Sequence, residues 1–570
     1  MLPAPLARGR LFAFLERLVR QGPRTVFFLL LAGTWAAWSA WAAAPAAASP
    51  APAPTAVAAP PANTEQHFDV HEYRVLGNTV LSNRQIEGVL YPRLGDGKTI
   101  SDVEVARAAL ETAYHDLGFA TVFVDIPPQE VKDGIVRLRV TEGRLRVRTI
   151  TGARYFSEGK ILDALPATQP GTVPNVGELQ KQLNAINTQT ADRSVVPVLK
   201  AGPDPGTMDL ALKVDDHLPL HGGVELNNQY TPDTESLRAI YSLSYNDLFG
   251  ELDSASVQYT MTPQKTGQVG VLNAAYGFHP VGPGIRPSIS FTNSSSTVAT
   301  LGTLGVLGDG QVYGARVAFP LQQLPTSIQS LTLGLDYKHF RNTINLDSSG
   351  AQTTAGQVIE PISYVNASLA YNGSWQLLTK SGTVGQTATF DITINGGPRG
   401  LANATENFGN TRFMARGNYV YFRSDAAFST ILPGRMMLTL RGSGQATQDP
   451  LVVYEQYSVA GSDGVRGYLE AEVLSDSGAK GSIQLASPPL SARRFLLGDA
   501  FLFYDAGRSH TVEPLPNEAG HIVLRSWGGG FDILPGHWIS GTLTIADPLL
   551  PGPRTKAHEP RILFDVKGSF

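Results

Sequence analysis

The sequence predicts a transmembrane antiparallel β-barrel of about sixteen strands, preceded by two small α+β modules of order β-α-α-β-β. Three observations carry this. From about residue 219 onward, short segments alternate apolar residues with Ser, Thr, Gln and Asn at a period of two. No apolar run of about 18 residues follows the first fifty, so lipid can be crossed only by strands that satisfy their backbones in a closed sheet. The chain also ends on a well-patterned strand. Ile562, Phe564, Val566, Gly568 and Phe570 share one face of it, and Arg561, Leu563, Asp565, Lys567 and Ser569 share the other.

Composition narrows the function. Only 16% of the 570 residues are charged, against roughly 25% in soluble proteins. A net charge of −4 gives no support for a nucleic-acid partner. The absence of cysteine excludes disulfides, thiolate metal sites and a cysteine nucleophile.

The first segment, 1–42, reads as a signal peptide. Arg8, Arg10, Arg17, Arg20 and Arg24 precede the apolar run from Val26, and Ala40-Trp41-Ala42 offers small residues for cleavage. A retained anchor is the alternative. Residues 43–66 form an Ala/Pro linker whose prolines exclude helix and strand.

The first module, 67–142, is expected to open with a strand at Phe68–Val75 closed by Gly77-Asn78. Capping boxes at Ser82–Gln85 and Ser101–Glu104 start two helices, the second carrying Ala106, Ala109, Leu110, Ala113 and Leu117 on one face up to Gly118. Strands at Thr121–Ile126 and Ile135–Thr141 complete it. The second module, 143–216, repeats this order with a strand at Leu145–Ile150 and a helix near Lys160–Leu165. A helix capped by Asn175 and strands at Ser194–Leu199 and Met208–Val214 follow. A single α+β domain is the alternative.

The barrel is placed at 217–570. Strands of roughly 9–11 residues leave room for sixteen, with fourteen or eighteen fitting almost as well. Stretches 294–309, 341–357 and 398–411 are rich in Ser, Thr, Asn and Gly and read as longer loops. The alternating final strand with its terminal aromatic, Ile562, Phe564, Val566 and Phe570, is expected to face outer-membrane lipid and to act as a barrel-assembly signal.

Two motifs point to function. In Ala500–Asp505 the period of two places Phe501, Phe503 and Asp505 on one face. Asp505 cannot face lipid cheaply, so that face is the lumen. Arg466 lies in Val465-Arg466-Gly467-Tyr468, inside a glycine-rich stretch unsuited to a spanning strand. It is either a lumen-folded residue able to meet Asp505 by two parallel hydrogen bonds or an extracellular loop arginine without a partner. No metal spacing, nucleophile elbow or phosphate loop accompanies these residues, so no enzyme, metal or cofactor is expected.

Val465-Arg466-Gly467-Tyr468, Phe503-x-Asp505-x-Gly507, the tandem modules and terminal Phe570 together resemble the two-partner secretion transporters over about residues 67–570. This family belongs to the superfamily of POTRA-containing barrel-assembly and polypeptide-transport proteins. The resemblance implies a sixteen-stranded outer-membrane barrel whose sixth extracellular loop, around 461–480, folds into the lumen and pairs Arg466 with Asp505. It also implies two periplasmic POTRA modules that bind the N-terminal secretion domain of an unfolded exoprotein, which the barrel exports without ATP. The implied partners are that exoprotein, outer-membrane lipid and the barrel-assembly machinery. Some members carry an N-terminal plug helix, for which 43–66 is too short and too rich in proline. The rival expectations are a barrel-assembly factor and a passive porin.

Overall fold

A computed structural model describes residues 67–570 except 283, 297–298, 301–305, 322–323, 325, 342–360, 380–383, 402–404, 492–496, 517 and 535–537. The signal peptide 1–42, the linker 43–66 and most of the 341–357 stretch lie outside the described residues.

The first module contains β1 (Glu72–Leu76), α1 (Asn83–Leu90), α2 (Ile100–Asp116), β2 (Val122–Asp125) and β3 (Ile135–Glu142). β3 is central, parallel to β1 and antiparallel to β2. The single opening strand expected at 68–75 is instead split. Phe68–Val70 pairs with Gly95–Lys98, and only Glu72–Leu76 joins the main sheet, because the chain changes partners where His71 and Glu72 N–H both donate to Gly134 O. Ser82 and Gln85 form the expected capping box. The second helix is capped by Thr99 rather than Ser101, since Asp102 stands three residues after Thr99 and its carboxylate accepts Thr99 N–H at 2.8 Å. Leu117, expected to be buried, is 44% exposed. Gly118 (φ +90°) ends the helix there, and Tyr114 takes the core position, its hydroxyl donating to Asn78 Oδ1 at 2.6 Å.

The second module contains β4 (Arg144–Thr151), α3 (Glu158–Asp163), α4 (Val176–Asn187), β5 (Arg193–Ala201) and β6 (Thr207–Asp216). Its sheet repeats the arrangement, with β6 parallel to β4 and antiparallel to β5. The likeness reaches single residues. After the first strand of each module a left-handed glycine, Gly77 (φ +88°) or Gly152 (φ +96°), turns the chain. A Cβ at either would fall on the carbonyl of Val140 or Val214, the matching residue of the central strand. Two residues further, that strand ends in a carboxylate that collects the N–H groups following the turn. Glu142 accepts from Thr79 N–H at 2.5 Å and Val80 N–H at 3.1 Å. Asp216 accepts from Arg154, Tyr155 and Phe156 N–H at 2.9, 2.9 and 3.2 Å.

Sixteen strands close into an antiparallel barrel among the described residues. They are β7 (Leu220–Asn227), β8 (Arg238–Asn246), β9 (Ser254–Met261), β10 (Gly270–Gly277), β11 (Arg286–Ser294), β12 (Gly310–Pro320), β13 (Ser327–Phe340) and β14 (Ile362–Leu378). The second half comprises β15 (Val384–Gly396), β16 (Val420–Ile431), β17 (Met437–Thr447), β18 (Ser477–Ala486), β19 (Leu497–His510), β20 (His521–Leu534), β21 (Ile539–Pro548) and β22 (Arg561–Ser569). Outward positions carry exposed Leu, Val, Ile, Tyr and Phe, as on β13, where Leu333, Leu335 and Tyr337 alternate with inward Asp336 and Lys338.

Closure joins β22 to β7 from Asp565 opposite Asn227 to Ser569 opposite Gly223. Phe570 then exchanges two backbone hydrogen bonds with Gly222, at 3.0 and 3.1 Å. A Cβ at Gly222 would strike the Phe570 ring, so the terminal aromatic lies flat on a bare stretch of the first strand. Ile562, Val566 and Phe570 are exposed on the outer face. The stretch expected as a loop at 398–411 contains a short helix, α5 (Thr405–Thr411), held by Phe408, which is buried edge-on against Tyr364 with ring centroids 5.3 Å apart.

The second module docks on the end of the barrel where β7 begins. Asp192 accepts from His221 Nε2 at 2.8 Å and Asn246 Nδ2 at 3.0 Å. Lys160 pairs with Glu251 at 2.6 Å, and Leu252 of the first turn packs into the module's core.

Burial alone would raise the pKa of the Glu142 and Asp216 carboxyls, but the hydrogen bonds they accept outweigh it and hold both below the usual carboxylate range. A lowered folded-state pKa contributes stability that is present above the unfolded value of about 4 and lost as pH falls through the folded value. The modules should therefore become protease-sensitive below about pH 4 while the barrel stays intact. Asp216→Ala should destabilise the second module by about 1–3 kcal/mol at neutral pH, measurable by urea titration of the modules' helical circular dichroism.

Candidate functional site

The loop joining β17 to β18, residues 448–476, is the sixth counted from the barrel end opposite the modules. It begins well before Gly461 and ends before Ser477. Gly478 and Lys480, inside the loop expected around 461–480, pair in the ladder with Gln445 and Ser443.

The loop folds on itself. Tyr457–Ser458 pairs with Leu474–Ser475, Val465 N–H donates to Val459 O at 3.0 Å, and Gly464 N–H donates to Gly461 O at 3.0 Å. Val459, Ala460, Val465, Tyr468 and Val473 form a small apolar core with Leu524 of β20. Glu470 accepts from Ser462 N–H at 2.5 Å across the tip. Gly461 (φ +113°) is required there, because a Cβ would strike that carboxylate.

Arg466 leaves this tip and meets the wall. Its Nε donates to Asp505 Oδ2 at 2.7 Å and its Nη2 to Asp505 Oδ1 at 2.8 Å, the bidentate geometry that most favours a guanidinium–carboxylate pair. Its backbone N–H also donates to Asp505 Oδ2 at 3.1 Å. Two further bonds reach Gln484 Oε1 at 2.9 Å and Ser482 Oγ at 3.0 Å on β18. The guanidinium carbon lies 3.5 Å from the centroid of the Phe503 ring. Asp505 is fully buried and the Arg466 side chain 14% exposed, so each charge depends on the other.

The remaining motif residues shape this contact. A Cβ at Gly507 would lie 2.9 Å from Val465 Cγ2, so glycine there admits the loop's apolar core to the wall. Gly467 (φ +94°) turns the chain so that the Tyr468 hydroxyl donates to Leu550 O at 2.6 Å and Arg525 O at 3.1 Å. The run Gly528-Gly529-Gly530 clears space for aromatic rings: a Cβ at Gly528 would sit 2.7 Å from Phe503 Cζ, and one at Gly530 2.6 Å from Phe501 Cζ.

Ser482 and Gln484 were missed in the sequence. They lie opposite Asp505 and Phe503 in the ladder, on the inward parity of β18, so the signal was present. Also missed were Glu472 and Asp476, which tie the loop to its neighbours. Glu472 accepts from Arg554 and Thr555 N–H, each at 2.7 Å. Asp476 accepts from Arg412 Nη2 at 2.8 Å and Val512 N–H at 2.7 Å. Among the described residues, Asp69, His71 and Asp96 of the first module bring carboxylate and imidazole atoms within 4.8 Å of one another. All three are exposed, and Asp69 is engaged by Gly97 N–H at 2.8 Å.

Residues 206–532, more than half of the chain, match the family described as haemolysin secretion/activation protein ShlB/FhaC/HecB. Residues 68–143 match the POTRA domain of ShlB type. The outer membrane transporter CdiB of Dickeya dadantii is 22% identical over 492 residues, 85% of this chain and 83% of that protein. The heme/hemopexin transporter protein HuxB of Haemophilus influenzae is 20% identical over 497 residues, covering 85% and 84%. Among solved structures, CdiB from Escherichia coli superposes with a TM-score of 0.61 at 19% identity, over 90% of this chain and 93% of that one. BamA from Haemophilus ducreyi lacking POTRA domains 1–3 gives a TM-score of 0.52 at 12% identity, over 88% and 100%.

Arg466→Ala leaves Asp505 buried without its cation, a change that costs about 3–5 kcal/mol in comparable sites. The variant barrel should still fold and insert, with unchanged heat-modifiable mobility, while the loop becomes open to protease added to intact cells. Arg466→Lys should be intermediate, since an ammonium cannot span both carboxylate oxygens in the same plane.

Proposed function

This chain belongs to the haemolysin secretion/activation proteins of the ShlB/FhaC/HecB family, outer-membrane transporters of two-partner secretion, and on that premise we propose how its parts handle the partner. The two modules lie in the periplasm and the barrel spans the outer membrane. The cargo is a secreted exoprotein. Its N-terminal secretion domain is received by the modules as an added strand, and the chain then passes the lumen loop, which Arg466 and Asp505 hold in register. The bidentate pair between loop tip and wall, at 2.7 and 2.8 Å, is the observation that carries the reading.

The modules narrow where a strand can add. The outer edge of β2 is occupied by its own helix: Glu111 accepts Val124 N–H at 3.1 Å and Arg107 donates to Val124 O at 3.0 Å. On β5 the corresponding cover extends only over Val195, which exchanges hydrogen bonds with the Asn187 amide at 2.8 and 3.0 Å. Val195 N–H therefore points off the sheet, and by the period of two so would those of residues 197, 199 and 201. Pro197 occupies one of these outward positions, where it costs the ladder nothing. Leu199 and Ala201 keep outward N–H groups for an incoming strand, the mode by which extended peptides extend a sheet. The terminal strand with Ile562, Phe564, Val566 and Phe570 serves in the same proposal as the signal read by the barrel-assembly machinery.

Deleting the gene in its host and comparing supernatant and outer-membrane proteomes tests the whole reading. Loss of one large secreted protein with other barrels unchanged supports it, and a broad fall in outer-membrane barrels would make the protein an assembly factor. Ala201→Pro removes one outward N–H and leaves the ladder intact, so export should drop several-fold with the module still folded. Wild-type export by that variant would rule out strand addition at this edge.

A further inference from the structure

The lumen loop is held at a second place that neither motif includes. Glu455 ends a one-turn 3-10 helix (Val453–Glu455) at the root of the loop and is 1% exposed. Its Oε1 accepts from Lys338 Nζ at 2.5 Å and from the Tyr364 hydroxyl at 2.6 Å, and its Oε2 from the Tyr421 hydroxyl at 2.8 Å. These donors come from β13, β14 and β16, all near the ends remote from the modules. The Tyr454 ring stacks on Phe340 at 3.7 Å. Gln445 Nε2 donates to Glu455 O at 2.9 Å and to Asp476 O at 3.0 Å, stapling the two ends of the loop together. Phe408 of α5 rests on Tyr364, so the neighbouring loop's helix is held by the same cluster.

We propose that Glu455 is a positioning residue for export: its ion pair with Lys338 latches the loop root across the extracellular mouth, and this latch releases while Arg466 holds the tip as a hinge. The two anchors differ in what leaving them exposes. Lys338 is two residues from the outer end of β13, so withdrawal of the root brings both its charge and that of Glu455 to water at the mouth. Asp505 lies mid-strand on β19, beneath the folded loop, where removing Arg466 breaks five hydrogen bonds and strands a fully buried carboxylate. The root is therefore the end that opens at lower cost. The inference rests on the transport reading, but pore closure can be measured without any cargo.

The test is ion conductance of the full-length protein in planar bilayers, with heat-modifiable mobility confirming a folded barrel. Glu455→Gln leaves Lys338 buried without a counter-charge, and Lys338→Met does the reverse. Each should raise the frequency of open events by about tenfold or more. The double variant Lys338→Met/Glu455→Gln holds no unpaired charge and should return toward wild-type closure, which a loss of packing alone would not do. Tyr421→Phe, removing one bond to Glu455, should give a smaller rise and serves where a charge variant fails to insert. Wild-type conductance in both single variants, or a double variant at least as open as the worse single one, overturns the proposal. Arg466→Ala that opens the mouth while Glu455→Gln does not would assign the latch to the tip instead.

Discussion

Everything above the modules follows from one constraint: a backbone in hydrocarbon has no water to bond to. Sixteen strands satisfy it only by joining the last to the first, and β22 meets β7 through a ladder that Phe570 and Gly222 extend to the chain's last residue. Closing that many strands leaves an interior too wide for wall side chains to fill. The wall is therefore polar inside, and the space must be occupied by something that is not wall. The loop between β17 and β18 occupies it, and its Arg466 and Glu455 can be there because wall strands supply their partners.

Much of this could be read from the sequence, for a reason that also marks the limit. Parity along one strand is a local property, so Phe501, Phe503 and Asp505 fall on one face, and the charge of Asp505 assigns that face to the lumen. The same rule places Lys338 inward, between outward Tyr337 and an inward Phe340. It does not say which loop residue a lumen charge will meet. Arg466 found its partner through family resemblance, whereas Glu455 bonds to residues 34, 91 and 117 positions away, in three strands, with nothing local to announce it. Misreadings at element ends have equally local causes. Thr99 displaced Ser101 as the helix cap because the Asp102 carboxylate closes the box on the Thr99 N–H, and Phe408 anchors a helix in a stretch whose polar composition read as loop.

The modules show how a repeat can persist where sequence similarity is thin. What the two share is a set of backbone requirements: a left-handed glycine pressed against the central strand, and a carboxylate at that strand's end to take the N–H groups the turn leaves unpaired. Glu142 and Asp216 differ in length, and so do the segments they hold, yet each removes the same cost of orphaned donors. With the turn fixed, the first strand can run parallel to the central one, and the edge strand is set where a helix side chain covers only part of it. The open remainder of β5 is a consequence of that incomplete cover rather than a separate device.

A loop that closes a pore and also yields to a passing chain should be held by interactions whose gain on forming is close to their loss on breaking. Apolar packing alone does not meet this requirement, because its contribution grows with every buried group and returns nothing when the loop enters water. Buried ion pairs behave differently. Their mutual attraction largely offsets the cost of desolvation, so a complete pair contributes little net stability, while half a pair costs several kcal/mol. At the loop root, Lys338 with Glu455 therefore penalises a half-broken contact heavily and full release of the root far less, while Arg466 with Asp505 keeps the tip in place. That makes the root's position two-valued, latched or released, without requiring the latched state to be very stable. The apolar core of Val459, Val465 and Tyr468 packs on Leu524 of the wall beside Arg466, so packing and ion pair hold the tip together while the root is held by Glu455.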